Sequence, residues 1–141
     1  MVVNMSNIRK VSLVTNETYH IFTRSIAGYE VFRSEESFER FICTLIYYND
    51  DSPRQRLSHY LQLSSEARKG FDNLRESDPL VQIIAYCLMP THIHLALKQV
   101  KDGGISIFMS NALNSFTRYF NTVHKRRGPL WESKFKNVLV D

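Results

Sequence analysis

The stretch Val81–Leu97, VQIIAYCLMPTHIHLAL, decides the fold. Val81 to Leu88 is rich in branched and aromatic residues and predicts a strand. Met89-Pro90-Thr91 interrupts it, because proline cannot donate to a ladder and pushes its predecessor to an extended shape. His92 to Leu97 then alternates polar and apolar and predicts a second strand. Two strands around so short a break form a hairpin or a bulged bend of an antiparallel sheet. Alternation also puts His92 and His94 on one face, roughly 6.6 Å apart along the strand, with Ile93, Leu95 and Leu97 on the other. The apolar set faces the core, so the imidazoles face away from it. Two ring nitrogens so placed can reach one cation at about 2.0 to 2.2 Å each, which is half of a metal site. Taken alone, an HxH pair on a strand is more often two exposed polar residues than a ligand pair, and a divalent ion wants three or four donors. Asn121, Glu132 and His124 remain open as a third ligand.

Outward from this unit, Tyr19–Arg24 predicts a strand after a turn at Thr15-Asn16-Glu17, with His20 hydrogen-bonded in a structural role, and Gly28 ends it. Ser34 is placed as an N-cap, with Glu35 and Glu36 in the first turn of an amphipathic helix over 34–48. Its apolar stripe is Phe38, Phe41, Ile42, Leu45 and Ile46. The 53–79 segment suggests two short helices in a surface insertion without chemistry. After Gly103-Gly104, apolar residues from Ile105 through Phe108, Met109, Ala112, Leu113, Phe116, Tyr119, Phe120 and Val123 share one stripe, so 105–124 is one long helix. Phe135 to Val140 predicts a last strand. The expected architecture is α+β: an antiparallel sheet packed on one side by two main helices, with a helical insertion, in one domain over 1–141.

With 141 residues, 43% of them hydrophobic, the chain has enough apolar side chains for a core, and disorder is excluded. No stretch approaches a membrane span, and the first twelve residues lack a secretory apolar run. Cys43 and Cys87 lack CxxC spacing and read as buried thiols of a cytoplasmic protein. The net charge is +4, and it is concentrated. Between Arg118 and Lys136 lie Arg118, Lys125, Arg126, Arg127, Lys134 and Lys136 against Glu132 alone, a local +5 that leaves −1 for the rest. Such a segment is either a solvated face or a footprint for phosphate. Trp131 and Phe135 alternate with Lys134 and Lys136, a pattern that suits stacked bases and paired phosphates of single-stranded or hairpin DNA. Trp131 serves equally as an anchor of the final loop to the core.

Two segments, AYCLMPTHIHLAL (85–97) and SFTRYFNTVHKRRGPLWESKFKNVLV (115–140), together with Tyr19-His20, resemble the single-tyrosine HUH transposases, in particular the REP-associated tyrosine transposases. The resemblance implies a ferredoxin-like two-layer sandwich and DNA strand cleavage and rejoining without a nucleotide cofactor. It assigns His92 and His94 to a divalent ion, Mn²⁺ or Mg²⁺, that polarises the scissile phosphate. A tyrosine hydroxyl attacks phosphorus and leaves a 5′-phosphotyrosine and a free 3′-OH. In that family the nucleophile and the third ligand lie on a helix after the Leu-Trp…Phe-Lys segment, whereas this sequence ends five residues after Lys136. Tyr119 is the substitute nucleophile to test, although its place in the apolar stripe argues for packing. Arg118, Lys125, Arg126, Arg127, Trp131, Lys134 and Lys136 are the expected DNA contacts. A homodimer is left open. The competing functions are a DNA-binding relic that no longer cuts and a metal-dependent hydrolase that uses water.

Overall fold

A computed structural model describes residues 12–52, 55–75 and 77–141. Met1–Val11, on which the secretory reading largely rests, and Pro53 lie outside the described residues. Among the described residues, four strands and four α-helices follow in the order β1 (Thr18–Arg24), α1 (Glu35–Tyr48), α2 (Leu57–Gln62), α3 (Ser65–Leu74), β2 (Val81–Met89), β3 (His92–Gln99), α4 (Gly104–His124) and β4 (Lys136–Leu139). The sheet order is β2-β3-β1-β4 and every pair is antiparallel. With α2 and α3 set aside, this is the split βαβ arrangement of ferredoxin-like sheets, so the α+β expectation holds.

The β2–β3 hairpin closes at Pro90-Thr91, with Met89 opposite His92 and a bulge between Ile83 and Ala85. Ile93, Leu95 and Leu97 are at most 1% exposed, which fixes which face of β3 meets the helices. That face packs against α1 and α4 through Phe41, Leu45, Ile105, Phe108, Met109, Ala112 and Phe116. The opposite face, carrying His20, Phe22, His92 and His94, has no helix over it among the described residues. Ser34 caps α1 by accepting from the Ser37 amide, as predicted. At Gly104 the helix start is pressed so closely on β2 that a Cβ would overlap the Leu80 carbonyl oxygen, and only glycine fits. Among the described residues, no helix is long and apolar enough to cross a membrane.

Three expectations are corrected. Phe38 and Ile46 lie outside the main core, 37% and 69% exposed; at the end of α1 it is Tyr47 and Tyr48 that are buried, in a satellite cluster with Leu57. Val123, at the end of α4, is likewise exposed. Cys87 is an exposed thiol on the edge strand and Cys43 is only half-buried, so neither is a core thiol. The insertion is clasped at its base: Asn49 Oδ1 accepts from the Leu80 and Val81 amides at 3.0 Å, and its Nδ2 donates to the Val81 carbonyl. Buried Asp50 is paired with Arg75 at 2.7 Å, and Lys101 bridges Asp51 and Asp78.

Candidate metal and phosphate site

Alternation along β3 brings His92 and His94 to the open face, half-buried, with ring centroids 5.1 Å apart and planes near perpendicular. Each has its Nδ1 engaged. Thr91 Oγ1 lies 3.0 Å from His92 Nδ1, and His20 Nε2 lies 2.9 Å from His94 Nδ1. The Nε2 atoms have no hydrogen-bond partner among the described residues. Burial, then the neighbouring imidazoles of His20 and His92, hold the His94 pKa below its ordinary value. His94 is therefore neutral at neutral pH, the form that offers a lone pair.

His20 is hydrogen-bonded, as the sequence suggests, but its partner is His94, which sequence reasoning did not name. Its strand register is opposite Ala96, one step diagonal to His94, and the two rings stack at 5.1 Å and 20°. The alternation Tyr19-His20-Ile21 already placed it on the open face, but only the β1–β3 register shows which residue it meets. If His94 Nδ1–H donates to His20, the ring is fixed and Nε2 is left as the ligand atom. His20→Ala is expected to weaken divalent-ion binding about ten-fold and His20→Gln, which keeps an acceptor, to recover most of it. Equal affinity of His20→Ala and the parent chain in a Mn²⁺ titration would contradict this role.

His92 and His94 share a concavity of about 340 Å³ with Phe22, Thr23, Arg24, Glu132, Ser133, Lys134 and Lys136. The loop reaches it because Ile26 donates to the Leu130 carbonyl at 2.8 Å and Glu132 to that of Arg24 at 2.9 Å, with a bridge between Ser25 and Trp131. Three cations against one carboxylate make the wall electropositive. Of the three open third ligands, Glu132 alone lines this concavity, and it lies 3.8 Å from Arg24. Asn121 instead joins Arg126 and the Gly128 carbonyl, and His124 stacks on Phe120 at 4.1 Å. Among the described residues, no three His, Cys, Asp or Glu side chains are grouped to hold a metal ion. Two imidazole nitrogens are thus what these residues could offer a divalent ion, a donor pair that would suit Mn²⁺ better than Mg²⁺.

The chain is similar in structure to a REP-associated tyrosine transposase bound to a REP hairpin, with TM-score 0.51, 12% identity, 95% of this chain and 62% of that one covered. It is also similar to a candidate transposase from Deinococcus radiodurans R1, with TM-score 0.54, 14% identity, and 95% and 87% of the two chains covered. The fold is shared with transposases. The chain spans about 62% of the length of the hairpin-bound structure. No protein-family model matches the sequence, and no curated protein is similar to it.

The remaining expected residues divide sharply. Lys134 and Lys136 join the histidines, whereas Lys125 and Arg127 are exposed beyond the end of α4. Arg126 is committed to the loop itself, donating to Asn121 Oδ1 at 2.7 Å and the Pro129 carbonyl at 2.9 Å, with its guanidinium over Tyr29. Trp131 packs against Phe41 and Phe116, each at 6.4 Å, and Phe135 is only 8% exposed. Phe135 therefore anchors the loop to the core, while half-buried Trp131 both packs on that core and lines a surface depression with Lys134. Tyr119 lies on the helical side, against Phe116 and under the Arg40 guanidinium, with the sheet between it and the histidines. The structure does not bring Tyr119 to the candidate metal site, and no tyrosine lines that concavity.

Proposed function

We propose that the chain is a transposase-type protein that grips a phosphodiester of single-stranded or hairpin DNA at the His92–His94 concavity. The observation that carries this reading is the pair of partner-free Nε2 atoms beside Lys134, Lys136 and Arg24 in one wall. A divalent ion held there, Mn²⁺ or Mg²⁺, supplies Lewis-acid polarisation of a phosphate oxygen. His92 and His94 bind through Nε2, Thr91 and His20 orient the rings, and the two lysines pair with flanking phosphates. The hairpin bound by the similar transposase supports DNA as the partner.

Strand cleavage in this reading is attack by a tyrosine oxygen on phosphorus. A phosphotyrosine O–P bond forms, the P–O3′ bond breaks, and the tyrosine proton ends on the freed 3′-hydroxyl. Tyr119 is not that nucleophile in this arrangement, because the sheet separates it from the site. The hydroxyl comes from outside the wall formed by these residues. The same observation favours DNA gripping without cutting as the activity of this chain by itself.

Fluorescence anisotropy of a labelled DNA hairpin tests the proposal. Mn²⁺ is expected to tighten binding relative to EDTA, and Lys134→Ala with Lys136→Ala to weaken it in both and to flatten the log–log salt slope by about 1.8. Tyr119→Phe should change neither. A chain that binds no DNA, or whose salt slope ignores the two lysines, contradicts the proposal.

A further inference from the structure

A second concentration of positive charge lies on the opposite side of the molecule. Arg40 from α1, Arg56 from the segment before α2, and Arg118 from α4 line one depression of about 490 Å³. Ser58, Ser115 and Thr122 add hydroxyls to its wall, and among the described residues no carboxylate lines it. None of the three arginines has an ion-pair partner among the described residues. The adjoining depression does contain Asp50 and Asp51, but these are taken by Arg75 and Lys101. Arg40 lies over the Tyr119 ring at 4.6 Å, and its Nε is buried without a hydrogen-bond partner.

Three uncompensated guanidiniums around one concavity repel one another, and a buried N–H without an acceptor costs free energy. An anion with several acceptor oxygens relieves both. Guanidinium forks match the oxygens of a phosphate, and an arginine fixed by stacking loses little freedom on binding. We propose that Arg40, Arg56 and Arg118 form a phosphate-binding site on the helical side, which takes a backbone phosphate of the DNA at a distance from the histidine concavity. This rests on the reading that the chain binds DNA. It gives Tyr119 a role as the platform of Arg40, and it assigns Arg118 a phosphate contact separate from that of Lys134 and Lys136.

The test is the salt dependence of single-stranded DNA binding by the full chain in EDTA, which removes any contribution from a metal. Arg56→Ala with Arg118→Ala removes two exposed cations from this one phosphate contact and is expected to lower the log–log slope by about 0.7 and to weaken binding several-fold. A slope equal to that of the parent chain, in a parent that does bind DNA, overturns this site and leaves the histidine reading standing. A parent with no affinity for DNA overturns the DNA reading itself. Calorimetry with inorganic pyrophosphate separates the two sources of phosphate. Pyrophosphate binding that the double variant loses, with the DNA slope unchanged, assigns the site to a free phosphate compound and overturns the DNA contact.

Discussion

Phe116→Ala is expected to cost about 3 to 5 kcal/mol of stability, read as a lowered denaturation midpoint with an unchanged slope. Phe116 is fully buried on α4 and lies within 5.1 to 6.4 Å of the rings of Phe32, Phe41, Tyr119, Phe120 and Trp131. Truncation removes the transfer free energy of a ring and leaves a cavity that five rings on four different segments cannot jointly collapse into. Because Trp131 anchors the loop that carries Glu132 to Lys136, this one ring couples the core to the site. A loss below 1 kcal/mol would show that the aromatic cluster is not the junction between the helical layer and that loop. That threshold is about the smallest change a mutational series assigns to a core site.

His92→Ala and His94→Ala are each expected to abolish divalent-ion binding while leaving the fold nearly intact. Removing one of two imidazole donors leaves a single protein ligand, too few to retain the ion against water. Both rings are half-buried on a sheet face that carries no helix, so their removal opens no cavity in the core. A shift of a few degrees in melting temperature is the expected ceiling, corresponding to about 1 kcal/mol for a domain of this size. His94→Ala is the more costly of the two, since it also strands His20. A large loss of stability in His92→Ala would contradict its placement on the open face.

Much of the frame is legible in the sequence because its signals are long and periodic. The alternation through His92 to Leu97 gives the strand, its core face and the shared side of the histidines. The Ser34 cap and the stripe of α4 fix the two main helices to within a residue. Long-range pairing is what a single sequence does not reveal. His20 and His94 meet through the β1–β3 register, and Arg40 and Arg118, on α1 and α4, meet Arg56 from the segment before α2. The basic loop misled for a related reason. Over so short an irregular segment no period separates inward from outward side chains, so Phe135 and Arg126 read as a binding surface while their contacts tie the loop down. The last turns of α1 deceived because their apolar residues serve two partners, the main core and the insertion.

The claim on which the functional account turns is that His92 and His94 together hold one divalent ion through their free Nε2 atoms. Titration of the full chain with Mn²⁺, followed by the loss of the free ion's EPR signal, measures this directly. The account predicts one bound ion per chain, lost in His92→Ala and in His94→Ala and kept in Tyr119→Phe. A parent chain that leaves the free signal unchanged, or histidine variants that bind as the parent does, would contradict it.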